Sequence, residues 1–235
     1  MSRTTFSHVV PLGLSCRVTY QVRTFFRAGT SHPFDWWIAP VEGLARYISL
    51  FDPDRIYRAD ALTELTEDGW VSSIASREFG FLLYHEFPRR KEAPPIRVVS
   101  ADWRAWIAAA RETHVRKLER LAALDRPGNR ILFVRDRLGS AEDPASTQAL
   151  VDALWQALRK RWSSADITLL LVNLPAFTPS CASVVRANFA DPPRPPPESW
   201  RGEDARWAAA FAALGFDPPG ADTPLPLPPS PGEAD

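Results

Sequence analysis

The chain has 235 residues, with 28 basic and 28 acidic side chains, and 45% of its residues are apolar. Zero net charge removes the electrostatic case for a nucleic acid or an anionic membrane surface as partner. Apolar runs such as ILFV and LLLV fall far short of the roughly 20 residues that span a bilayer as a helix. Fourteen of the 23 prolines lie from Pro175 onward. They divide an α/β domain, residues 1–190, from a Pro-rich tail, 191–235, that carries one short helix and is expected to be disordered at its end. Cys16 and Cys181 stand 165 positions apart, which is neither a disulfide framework nor a zinc pattern. A reducing, cytoplasmic location is therefore expected. The opening MSRTTFSHVV has no apolar central region, so no signal peptide is expected.

In chain order, His8–Gly13 predicts a short buried strand, with Pro11 suited to its end because it lacks an N–H. Ser15 is placed to cap a helix bearing Val18, Val22, Phe25 and Phe26, with Gly29 as its C′ residue. SHPFDWWIAP predicts a tight loop, and a second helix follows over 41–50. Between Asp52 and Pro95 only Trp70–Ile74 and Phe79–Tyr84 look strand-like or irregular. Trp103, Ile107, Ala110, His114, Leu118 and Leu121 recur at helical steps and predict a helix over 102–124. Arg130–Asp136 reads as a buried strand. Asp143-Pro144 then opens a helix with favoured N-cap and N1 residues, and Asp166–Asn173 reads as another buried strand. Strand, helix and strand at this spacing form a βαβ unit that the N-terminal strand can join. The expected class is α/β, with a papain-like α+β arrangement as the alternative. A last helix is expected over about 203–214.

The chemistry points first to Gly13-Leu14-Ser15-Cys16. A cysteine in the first turn of a helix meets unpaired backbone N–H groups and the positive end of the dipole, which favour a thiolate. The same N–H groups suit an oxyanion, while Gly13 permits a sharp turn. The bland reading of Cys16 is a small residue filling a strand–helix junction. A thiol nucleophile needs a base. His114 falls on an apolar helical stripe and reads as a core residue, and His8 reads as structural. His85, at the end of GFLLYHEF, and His32, in the SHPFDWW loop, compete for the role. Asp35, Asp136 and Asn173 are available to orient an imidazole, the last two at the C-terminal ends of strands, where sites gather in open α/β sheets. No phosphate-binding glycine loop and no metal-ligand cluster is present, so no cofactor or metal is expected.

The stretch VVPLGLSCRVTYQVRTFFRAGTSHPFDWW resembles the signature of a bacterial family described as papain-like cysteine peptidases and long classed as a domain of unknown function. The resemblance rests on Leu12-Gly13, Cys16, Gln21-Val22-Arg23 and Pro33-Phe34-Asp35-Trp36. His85-Glu86-Phe87 and Ile131-Leu132-Phe133-Val134-Arg135 extend it. Glu86 replaces the usual aspartate, and Pro11 a small or polar residue. The resemblance covers about Val9 to Asn173 and implies a Cys–His site with Cys16 as nucleophile and His85 as base.

Two functions follow as expectations. The first is a thiol hydrolase or acyl transferase, a thiol protease among the possibilities, acting on a peptide, amide or ester. Cys16 attacks, His85 shuttles the proton, Asp35 (or Asp136, Asn173) holds the imidazole, and backbone N–H groups near Ser15 and Cys16 bind the oxyanion. The second is a non-catalytic module that holds a small anionic or sugar-linked ligand at the helix N-terminus with Gly13 and Ser15, assisted by Arg23 and Arg135. A serine esterase using Ser15 lacks a suitably placed Asp–His pair after His114.

Overall fold

Runs such as ILFV and LLLV have no polar face to give to water, so a strand built from them needs cover on both sides. The computed structural model, which describes residues 5–67, 70–93, 96–137, 144–174, 177–189 and 200–216, provides that cover. Its elements in chain order begin with β1 (His8–Pro11), α1 (Cys16–Phe26), α2 (Val41–Leu50), β2 (Leu62–Glu67) and β3 (Trp70–Ser76). Then come β4 (Arg89–Ala93), β5 (Ile96–Val99), α3 (Ile107–Ala122) and β6 (Arg130–Asp136). The last are α4 (Pro144–Arg161), β7 (Asp166–Val172), β8 (Val184–Ala187) and α5 (Asp204–Ala213).

Four strands form one parallel sheet in the order β1-β6-β7-β8. Val10 lies opposite Phe133, and Phe133 opposite Leu169. Alternate residues then separate to the two faces. Val10, Ile131, Phe133, Ile167, Leu169 and Leu171 pack with Leu44 and Ile48 of α2, Leu118 and Leu121 of α3, and Val151, Leu154 and Leu158 of α4. Val9, Leu132, Val134, Leu170 and Val172 pack with Val18, Val22 and Phe26 of α1 and with Trp207 and Phe211 of α5. The result is an α/β fold with helices on both faces, as the βαβ spacing predicts. The α+β alternative does not describe this main sheet, whose pairings are all parallel.

Several local expectations are corrected. Helix α1 closes at Arg27, which takes the left-handed conformation at φ 52°, two residues before Gly29. The rings of Phe25 and Phe26 each lie 4.9 Å from Phe211, so tertiary seating, not a glycine, marks this helix end. Ser15 is the N-cap residue, yet its side chain makes no capping bond. Asp143 lies outside the described residues. The region from Asp52 to Pro95 holds the antiparallel pair β2–β3 and one strand of the pair β4–β5, while Phe79–Tyr84 contributes only isolated bridges at Leu82. The core also does not stop at residue 190, because Trp207, Phe211 and Phe216 are buried against α1. Residues 191–199 and 217–235 lie outside the described residues. Among those described, no helix is long and apolar enough to cross a membrane.

Candidate functional site

The carboxyl ends of β1 and β6 set the site. After β1 the backbone turns through Gly13 and Leu14, both left-handed at φ 72° and 74°. Only Gly13 meets this without strain, since a side chain in that region costs about 1–2 kcal/mol. A second constraint falls on the same residue. A Cβ on Gly13 would stand 3.1 Å from the Trp37 carbonyl oxygen and 3.3 Å from the Ala39 Cβ, so the turn is pressed against the Pro33–Ala39 loop. Arg135, fully buried on β6, locks the two together. Its Nη1 donates to the Leu12 carbonyl at 2.9 Å and its Nη2 to the Ala39 carbonyl at 2.7 Å. Arg135 therefore acts as a structural clasp, and a ligand-binding role at the helix N-terminus does not fit its geometry.

Cys16 is the first residue of α1, and its Sγ lies 3.7 Å from His85 Nε2. His85 occupies the turn after Leu82 and Leu83. That turn is fixed from both sides. Leu83 N–H donates to Ile74 of β3 at 2.8 Å. Ile38 and Leu82 exchange backbone bonds at 3.2 and 2.9 Å. The imidazole lies edge-to-face with Trp36, centroids 5.8 Å apart, and with Tyr84 at 4.9 Å. Trp36 holds φ 64°, a second bulky residue in strained backbone beside the pair.

Protonation follows from these surroundings. Burial pushes the Cys16 thiol up to about 11, partly offset by its own backbone N–H, which is directed at the sulfur. His85 retains an exposed edge, but packing of the ring and then the positive Arg89 lower its pKa to about 4. Burial thus favours the neutral thiol and the neutral imidazole over their charged forms.

The remaining expected residues occupy other positions. Asp35 is buried, accepting from Arg23 Nη2 at 2.7 Å and from the His32 N–H at 3.0 Å. It thus ties the Pro-Phe-Asp-Trp turn to α1 and is not bonded to His85. His32 is buried in that turn, and its pKa is lowered first by burial, against the opposing pull of Asp35. Cys16 meets His85, not His32. Asp136 and Asn173 approach each other at 3.5 Å, and Arg17 of α1 reaches Asp136 at 3.8 Å. They buttress the base of α1 from the sheet ends. Ser15 Oγ is buried with no hydrogen-bond partner among the described residues. His114 is a core residue, as its stripe predicts: it is buried, stacks on Trp37 and pairs with the Tyr47 hydroxyl at 2.8 Å.

Of four aromatic residues linked to the pair by ring contacts, only Trp36 belongs to a sequence motif. Trp36 and Tyr84 flank His85, Trp200 lies 6.2 Å from Trp36, and Tyr20 lies 5.4 Å from Trp200. Trp200 is held by Arg17 Nε, which donates to its carbonyl at 3.4 Å, while Gln21 bonds the Arg201 carbonyl at 2.7 Å. The Trp-rich PFDWW stretch is the one sequence feature that hints at this wall.

Among the described residues no cluster of His, Cys, Asp or Glu is arranged to hold a metal ion. Compared with models of known protein families, with curated proteins and with solved structures, the chain matches none.

Proposed function

We propose that the chain is a thiol-dependent acyl hydrolase or acyl transferase acting on a peptide, amide or ester, with Cys16 as nucleophile and His85 as general base. The observation that carries this reading is the Cys16 Sγ–His85 Nε2 distance of 3.7 Å in the first turn of α1. As the sulfur attacks the carbonyl carbon, the thiol proton passes to His85 Nε2 and the carbonyl oxygen becomes an oxyanion. The first-turn N–H groups of α1, which have no intrahelical acceptor and no side-chain cap, are suited to receive it. Collapse expels the amine or alcohol, which takes the proton from His85. Water, or an acceptor nucleophile, then cleaves the thioester with His85 again as base. A peptide-cleaving activity, which the family resemblance implies, is one member of this class.

The neutral resting pair requires proton transfer to accompany attack, and it has a practical consequence. Cys16 is a poor target for simple alkylation at pH 7, because little of it is thiolate. A panel of aryl esters and peptidyl amides tests the proposal, with turnover expected in the wild type and lost in Cys16→Ser and His85→Ala. The same protonation pattern favours a second reading, a non-catalytic module that receives a small anion at the α1 N-terminus. That reading predicts no turnover on any acyl substrate and unchanged anion affinity in Cys16→Ser.

A further inference from the structure

The site has a Cys16–His85 contact, but Asp35 is not bonded to the imidazole. Some other feature must keep the ring beside the sulfur. Cys16 and His85 belong to separate segments, and both are anchored to the stretch Trp36–Ala39 between them. On the cysteine side, the Gly13 turn packs within van der Waals contact of Trp37 and Ala39, and Arg135 clasps Leu12 to Ala39. On the histidine side, Ile38 and Leu82 form a two-bond bridge. The bridge ends three residues before His85, and the next residue, Glu86, is tied by a side-chain bond and also interacts with the buried Tyr57 hydroxyl. Trp37, fully buried, donates its indole Nε1–H to Glu86 Oε1 at 2.8 Å. The Trp37 ring is itself fixed, stacked on His114 at 4.9 Å with 13° between planes, and the Tyr47 hydroxyl bonds His114 Nε2 at 2.8 Å.

Resting on the reading of Cys16 and His85 as a reacting pair, we propose that Glu86 and Trp37 are the positioning residues of the site: their hydrogen bond holds the His85 turn at the distance from Cys16 that the Trp36–Ala39 stretch sets. Neither residue touches the reacting atoms. In this role Glu86 acts as a hydrogen-bond acceptor. Burial of the ring and the positive Arg89 are what lower the basicity of His85. The side chain adjoining the catalytic histidine is thus part of a ruler and not an orienting carboxylate.

The test is an NMR titration of the His85 ring in the full chain, with the His32 resonance as an internal control. Glu86→Ala deprives the indole of its acceptor and frees the turn. The His85 midpoint is then expected to rise by about one unit or more toward the ordinary histidine value, while His32 stays in place. Trp37→Phe, which keeps a buried ring but loses the N–H, is expected to do the same, and it decides the matter should Glu86→Ala fail to fold. Glu86→Gln keeps a carbonyl acceptor and is expected to titrate like the wild type. Wild-type titration in both Glu86→Ala and Trp37→Phe overturns the proposal, and so does a Glu86→Gln midpoint that matches Glu86→Ala. Cys16 acylation in wild type and His85→Ala is measured in parallel. Equal rates there defeat the dyad reading, whereas the titrations decide independently whether Glu86 holds His85.

Discussion

Gly13→Ala probes the turn on which the site depends, and the structure sets the size of the effect. The residue sits at φ 72°, so any side chain there carries the left-handed penalty of about 1–2 kcal/mol. The new Cβ also stands 3.1 Å from the Trp37 carbonyl and 3.3 Å from Ala39, and neither atom is the end of a flexible side chain. Overpacking of this kind adds about 1–3 kcal/mol, for a total of roughly 2–5 kcal/mol. Gly128 separates the two terms, because it too is left-handed, at φ 89°, but a Cβ there meets nothing within 4 Å. Gly128→Ala therefore keeps only the backbone penalty. Urea unfolding of both variants by tryptophan fluorescence measures the difference, with Gly13→Ala expected to lose at least about 1 kcal/mol more than Gly128→Ala. Equal losses would refute the claim that the Cys16 turn is pressed onto the loop.

Three further outcomes follow from the packing and the protonation. Arg23→Ala leaves the Asp35 carboxylate, whose side chain is fully buried, without its cation, and is expected to cost about 3–5 kcal/mol in chemical denaturation. Adding Asp35→Asn should recover part of that loss. Trp207→Ala in α5 is expected to cost about 3–5 kcal/mol, because the ring is fully buried against α1 and the sheet; a loss below about 1 kcal/mol would mean that α5 is a loose appendage. Acid should destabilise the fold through its buried histidines. Burial lowers His114 to about 3, so between the ordinary histidine value of about 6.5 and that point the unfolded chain binds a proton that the native chain does not. Stability is therefore fully present above the unfolded value and falls as pH drops toward 3. Urea midpoints measured at descending pH check this, and His114→Gln should flatten the slope.

The sheet was legible in the sequence because both of its faces are covered. Ile131–Val134 and Leu169–Val172 are unbroken apolar runs, and such runs at βαβ spacing fit little else. The cysteine turn was legible through Gly13 and the helical periodicity that follows it. Of the hairpins only part of β3, Trp70–Ile74, was legible. Strand β4 begins Arg89-Arg90-Lys91-Glu92, which carries no apolar signal, and its pairing with β5 is what makes it a strand. Helix α5 was readable as a helix but not as part of the core, since its partners Val18, Val22 and Phe26 lie about 180 positions upstream. Asp35 had the chemistry of an orienting acid, yet Arg23, two turns along α1 from Cys16, is a stronger partner than a neutral imidazole. The role of Glu86 was hidden for the same reason, because its partner is the buried indole of a loop 49 positions away.

The central claim is that His85 takes the proton from Cys16 as the sulfur attacks a carbonyl. Intact-mass kinetics of Cys16 acylation by an activated aryl ester at pH 7, comparing wild type with His85→Ala, test it most directly. One acyl group on Cys16 is expected in the wild type, and a rate about 100-fold or more slower in His85→Ala, the usual loss on removing a general base. Acylation at equal rates in the two proteins, or none at Cys16 in the folded wild type, would contradict it.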